Sequence, residues 1–140
     1  MMSTDLHTHT VYSDGKNTPE EMVLSAIEKG LKTIGISDHS YTSFDDSYCM
    51  KKETIDDYIK EITILKEKYR DKIEILCGIE QDLFSGQTDE RFDYSIGSVH
   101  YFKFGEEYID VDDSVETLKS AAEKYFGGDI YSLLEEYYRL

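Results

Sequence analysis

The sequence predicts an α/β fold built on a largely parallel sheet. Three observations predict it. Short apolar runs alternate with amphipathic stretches along the whole chain. The 140 residues include one Pro and no linker, repeat or low-complexity tract, so residues 1–140 read as a single domain. Hydrophobic residues make up 39% and aromatics 13%, enough for a packed core and too apolar for a disordered chain.

The first strand is expected over residues 3–8. Thr18-Pro19-Glu20-Glu21 then starts a helix. Thr18 can cap, Pro19 suits the first turn and Glu21 completes a capping box. Met22, Val23, Ala26 and Ile27 line one face, and Gly30 ends the helix. Residues 31–37 read as a second strand. Thr54 to Arg70 is the clearest helix, opening on a Thr-x-x-Asp box with Ile55, Ile59, Ile62, Leu65 and Tyr69 at helical spacing. Residues 73–79 form a buried third strand and 94–99 a fourth. Residues 101–111 fit an irregular loop or a short ribbon. Helices are expected over 115–126 and, after Gly127-Gly128, over 130–139.

Composition excludes several classes of function. Thirty acidic against 15 basic residues give a formal net charge of −15, which repels nucleic acid and anionic lipid. The longest apolar runs are too short for a transmembrane helix. The start of the chain has neither the basic nor the apolar region of a signal peptide. Two cysteines, Cys49 and Cys77, are too few for a disulfide scaffold and point to free thiols in the cytoplasm.

The four histidines carry the chemistry. His7 and His9 share the end of the first expected strand, His39 ends the second and His100 the fourth. Glu80 ends the third. Active sites of parallel α/β sheets form at the C-terminal strand ends, so these five residues are expected on one rim. Residues two apart on a strand face the same way, so His7 and His9 can grip one divalent ion. A lone His-x-His is more often packing than a ligand pair, and the shared rim reverses that balance. A carboxylate closing a strand as apolar as Cys77-Gly78-Ile79-Glu80 is costly unless paired or metal-bound. Two oxygens let Glu80 bridge two ions. Asp14, in Asp-Gly, fits a turn and a ligand role equally. Asp5 fits the orienting of an imidazole, or a plain strand start. Asp38 points away from His39 and is read as structural or as support for a ligand.

Other features carry less. Asp110 to Asp113 resembles a calcium loop, but Val115 stands where that loop needs Gly, so these acids are assigned to the helix start. This segment and Asp45-Asp46 are expected to be exposed turns and caps without a ligand set. Serines near the histidines lack a Gly-x-Ser-x-Gly elbow. Cys77 is expected as inert packing, and Tyr125, Tyr131, Tyr137 and Tyr138 as helix packing.

Taken together, Asp5-Leu6-His7-Thr8-His9-Thr10, Ser13-Asp14-Gly15, Ser37-Asp38-His39, Gly78-Ile79-Glu80 and Gly97-Ser98-Val99-His100 resemble the polymerase and histidinol phosphatase (PHP) domain family, nearest to its histidinol-phosphate phosphatase branch. The resemblance covers residues 3 to about 104. It implies a distorted (β/α)7 TIM-like barrel, here about the first half, with up to three divalent ions (Zn, Mn or Fe) at the C-terminal rim. It assigns His7, His9 and Glu80 to one ion, Glu80 and His100 to a second, and Asp14 and His39 to a third. The family's later motifs supply another histidine, an Asp-x-His pair and a phosphate-gripping Arg. In this chain the only basic side chains beyond His100 are Lys103, Lys119, Lys124 and Arg139. A barrel of this kind needs about 200 residues or more.

The expected activity is metal-assisted hydrolysis of a small phosphate monoester, with no catalytic side chain beyond the ligands. The resemblance implies L-histidinol phosphate and a place in histidine biosynthesis. A second reading is a non-catalytic metal-binding remnant serving as an interaction module. A nuclease-like phosphodiesterase is a third, and the net charge opposes it. No nucleic-acid or membrane partner is expected. An open parallel sheet leaves edges that favour association, so a two-fold homodimer is expected.

Overall fold

The structure is a computed structural model that describes residues 3–86 and 89–140. The chain divides into two compact units, Met1–Ser98 and Val99–Leu140.

The first unit is a parallel sheet with its helices packed on one face. Its elements are β1 (Thr4–Asp5), α1 (Pro19–Glu28), β2 (Thr33–Ile36), α2 (Ile55–Tyr69), β3 (Glu74–Asp82) and β4 (Tyr94–Ser98). The four strands lie in the order β1-β2-β3-β4, every pair parallel. This is the curled start of the expected TIM-like barrel. Ile34 and Ile36 of β2 and Ile75, Cys77 and Ile79 of β3 pack with Val23 and Ala26 of α1 and Tyr58, Ile62 and Leu65 of α2. Side chains alternate along a strand, so the intervening residues Gly35, Gly78 and Glu80 face the interior of the curl. The α2 residue Tyr58 is fully buried and its hydroxyl lies 2.8 Å from the carbonyls of both Ile36 and Gly78.

Tyr94 of β4 lies across that interior. Its ring covers Gly78 and Gly35, where an added Cβ would stand 2.2 and 2.1 Å from Tyr94 atoms. Its hydroxyl donates to the Leu6 carbonyl at 2.6 Å, and burial pushes the phenol pKa up to about 12. One side chain thus ties β4 to the segment after β1.

Several expected boundaries move. β1 stops at Asp5, so His7 and His9 lie beyond a strand. Two polar side chains account for this. The Asp5 carboxylate takes the His7 backbone N–H at 3.2 Å, and the Thr8 hydroxyl takes the Gly35 carbonyl at 2.7 Å. Both backbone groups are withdrawn from the ladder. β3 runs on to Asp82, so Glu80 lies inside a strand, because β4 pairs with it from Gly78 to Asp82. The capping box at Thr18 forms with both partners. The one expected at Thr54 does not. A 3-10 turn over Lys52–Thr54 leaves Thr54 helical, and its hydroxyl donates backwards to the Lys51 carbonyl at 2.9 Å.

The second unit is a hairpin, β5 (Tyr101–Phe104) and β6 (Glu107–Asp110), followed by α3 (Val115–Phe126) and α4 (Ile130–Tyr137). The ribbon reading of residues 101–111 therefore holds. The strands pair antiparallel across a two-residue turn, with Gly105 at φ +62° in the first central position. Phe102, Ile109, Ala121, Ala122 and Leu133 form its core. Ser114 caps α3, and Gly127 ends it at φ +60°. Asp110 closes the preceding turn by accepting the N–H groups of Asp112 and Asp113. Asp46, Asp112 and Asp113 are exposed as expected. Asp45 and Asp110 are half-buried, because both carboxylates fold back on their own loops. Tyr125 packs on Phe104, but Tyr131 and Tyr138 are 75% and 81% exposed, on the side of α4 away from Leu133. Those two do not pack as expected.

Candidate metal centre

β2 and β3 fix the first pair of candidate ligands. Their register sets Ile36 opposite Cys77, and an isolated bridge continues it to His39 opposite Glu80. Both side chains face the interior, and Glu80 is 4% exposed. The segment after β1 brings His7, His9 and Asp14. It can turn back sharply because Gly15 has no side chain: a Cβ there would stand 2.5 Å from the His9 carbonyl.

One oxygen is the meeting point. Glu80 Oε2 lies 2.9 Å from His7 Nε2, 2.9 Å from His9 Nε2 and 3.3 Å from His39 Nδ1. Asp14 faces the other side of the same rings, its Oδ1 2.8 Å from His9 Nδ1 and its Oδ2 3.8 Å from His39 Nε2. Two donor sets lie wholly within the first unit: His7, His9 and Glu80, and His9, Asp14 and His39, each with ligand atoms within 4.8 Å of one another. Ligands bound tetrahedrally to one ion at about 2.0–2.1 Å stand roughly 3.3 Å apart. His9 Nε2 is buried and, despite its closeness to Glu80, has no aligned hydrogen-bond partner. A buried lone pair aimed beside a carboxylate, among imidazoles, fits a divalent transition metal.

The electrostatics agree. Glu80 above all, and Asp14 with it, raise the His9 pKa above its ordinary value, and burial only partly opposes them. Burial works to raise the Asp14 carboxyl, but the hydrogen bond from His9 and the charges of His39 and His9 hold it below the usual range. An imidazole that gives Nε2 to an ion keeps its proton on Nδ1. Asp14, 2.8 Å from that nitrogen, accepts it and fixes the tautomer.

The site thus gathers His7, His9, Asp14, His39 and Glu80. His100 lies in the second unit, two residues past the end of β4, with its carbonyl accepting the Val111 N–H at 2.9 Å. Asp5 meets the backbone of His7 rather than an imidazole, so it supports the ligand segment and does not orient a ring. Cys77 lies in the core on the opposite face of β3, and burial pushes its thiol up to about 12, so it is inert packing. Cys49 is likewise a buried free thiol.

Sequence reasoning missed four neighbours. Tyr48 meets the His39 ring edge-on at 4.9 Å. Thr10 and Ser13 both hydrogen-bond to Asp38. Tyr94 roofs the two strand glycines. Only the glycines left a signal, since Gly inside a strand marks a close approach by another group.

The sequence model of the PHP domain matches residues 5–139. The chain belongs to the PHP domain family. Among curated PHP relatives, it is 30% identical to a histidinol-phosphatase of Bacillus subtilis, over 99% of this chain and 58% of the relative. It is also 30% identical to a probable histidinol-phosphatase of Deinococcus radiodurans, over 94% and 54%. The chain spans about half the length of the curated relatives it matches. Among solved PHP structures, a putative histidinol phosphatase of Listeria monocytogenes superposes with a TM-score of 0.70 at 25% identity, over 81% of this chain and 51% of that one. Histidinol phosphate phosphatase of Lactococcus lactis, solved with zinc, L-histidinol and phosphate, gives 0.61 at 24% identity, over 90% and 51%, and bears on the fold alone.

Proposed function

We propose that this chain is a metal-dependent phosphoesterase of the histidinol-phosphatase type, acting on a small phosphate monoester. The observation that carries the reading is the convergence of His7, His9 and His39 on Glu80 Oε2, in a chain of the PHP family with histidinol-phosphatase relatives. His7, His9 and Glu80 would hold one ion, and Asp14 and His39 another beside it. Glu80 has a second oxygen to share, and His100 is the proposed further ligand. Divalent ions held there, whether zinc, manganese or iron, would lower the pKa of a water to about 7 and polarise phosphoryl oxygens. The protein's own part is to aim the imidazoles. Asp14 holds the His9 proton on Nδ1, and the β2–β3 register sets His39 beside Glu80.

L-histidinol phosphate is the proposed substrate, as the names of the curated relatives suggest. Its cationic amine suits a chain of net charge −15. A metal-binding module without turnover is the second reading, for a chain that matches 58% and 54% of the length of these relatives. Phosphate release from L-histidinol phosphate and p-nitrophenyl phosphate, with and without added zinc or manganese, separates the two. Turnover that needs metal and vanishes in His9→Ala supports the enzyme. Metal binding without turnover supports the module.

A homodimer is also proposed. β1 and β4 each pair on one side only among the described residues, which leaves sheet edges open. Sedimentation over a concentration series tests it, and a monomer at every concentration would reject it.

A further inference from the structure

The two donor sets sit on three separate stretches of chain, and one buried residue touches all three. Asp38 is 0% exposed. Its Oδ1 accepts from the Thr10 backbone N–H at 2.7 Å and from the Ser13 hydroxyl at 2.5 Å, and its Oδ2 accepts from the Thr10 hydroxyl at 2.8 Å. Thr10 and Ser13 lie inside the loop whose ends are His9 and Asp14. The Asp38 backbone carbonyl accepts the Glu80 N–H at 3.0 Å, and the next residue is His39.

From this geometry we infer that Asp38 is a positioning residue, which sets the separation of His9, Asp14, His39 and Glu80 by clamping the Thr10–Ser13 loop to the ends of β2 and β3. The inference rests on the metal-binding reading above. A carboxylate suits the task because three donors converge on it and it offers only acceptors. The loop has one other distant anchor at its middle: Tyr12 packs on the core, its ring 5.2 Å from Tyr58 and its hydroxyl donating to Glu61 of α2 at 2.8 Å. Within it Ser13 N–H bonds to the Thr10 carbonyl, and Val11 N–H to the Asn17 carbonyl, and both contacts are local to the loop. Without Asp38 the loop would keep Tyr12 on α2 but lose the hold on its two ends, Thr10 and Ser13, which adjoin His9 and Asp14. His9 and Asp14 would then drift relative to His39 and Glu80. Removal of such supporting contacts lowers metal affinity about 10–100-fold.

The test uses the full chain, stripped of metal, with zinc affinity read by competition with a chelating dye. Cobalt substitution supplies a second reading, because its visible spectrum reports ligand number and geometry. The thermal midpoint in EDTA reports the fold alone. Asp38→Ala is expected to bind zinc at least about tenfold more weakly than wild type at temperatures where it is fully folded, with an altered cobalt spectrum. Asp38→Asn should recover most of the affinity. Its carbonyl oxygen can accept from Thr10 N–H and Ser13, and its amide can donate to the Thr10 hydroxyl. Ser13→Ala removes one clamp contact at a half-buried position. It is expected to weaken zinc and change the cobalt spectrum while leaving the EDTA midpoint near wild type. If Asp38→Ala does not fold, Ser13→Ala decides. Wild-type affinity and spectrum in the folded variants, with only the midpoint lowered, would overturn the positioning role and leave the metal reading intact. A wild-type chain that binds neither zinc nor cobalt would overturn both.

Discussion

Glu80 concentrates the chemistry of the site in one carboxylate. A buried carboxylate is stable only where donors or cations surround it, and three imidazole nitrogens stand within 3.3 Å of Oε2. Gln has nearly the same shape but no charge. Glu80→Gln is therefore expected to lose at least about tenfold in zinc affinity while keeping its far-UV circular dichroism. Chelator competition measures the first and a spectrum the second. Glycines make the companion case. Gly78→Ala would drive a methyl into the Tyr94 ring, which stands 2.2 Å from the new Cβ position. Overpacking of this kind costs about 1–3 kcal/mol. Gly97→Ala, in the neighbouring strand, meets nothing within 4 Å and should change urea stability far less. Equal losses at the two positions would show that the Tyr94 contact does not constrain the sheet.

At the scale of elements, the same sequence signal has two different outcomes. Thr18 and Thr54 both precede a helix with an acidic residue three positions on. Thr18 is extended, at φ −68° and ψ 157°, and its side chain accepts the Glu21 N–H. Thr54 already has helical angles, φ −98° and ψ −4°, as the last residue of a 3-10 turn, so its side chain cannot reach forward. Thr18→Ala should cost about 1 kcal/mol of stability, and Thr54→Ala only a few tenths. Chemical denaturation of the two variants side by side checks this. A matching loss in both would mean that Thr54 caps after all. Local signals specify α1 fully because both partners of its box are three residues apart. They miss the end of β1 because Thr8 gives its hydroxyl to Gly35, 27 positions away.

The whole molecule carries a charge of −15, so the folded state confines its own repulsion. Raising ionic strength shortens the reach of that repulsion from about 30 Å at 0.01 M to about 10 Å at 0.1 M. The thermal midpoint of metal-free protein is expected to rise over that range, and a flat or falling midpoint would count against the argument. Divalent ions held at the candidate site would act on the same balance and would bind the folded state selectively. Zinc at about 100 times its Kd adds about 2.7 kcal/mol, so EDTA should lower the midpoint of zinc-loaded protein. Scanning calorimetry with and without the chelator measures it. No helix among the described residues is long and apolar enough to cross a membrane.

The order of strands and helices, the apolar face of each, and the candidate ligands were legible along the chain, because periodicity and caps are local. The facing of His39 and Glu80 was nearly so, since both close on the same rim of a parallel ladder. Asp38 was legible as a support, but tertiary structure alone decided which groups such supporting side chains reach. Asp38 reaches Thr10 and Ser13 across 28 and 25 positions, and Tyr94 reaches Leu6 across 88. No period or spacing encodes such contacts. They exist because the curl of the sheet brings distant strands together, and the backbone groups left unpaired where β1 ends must find partners among whatever side chains the curl delivers.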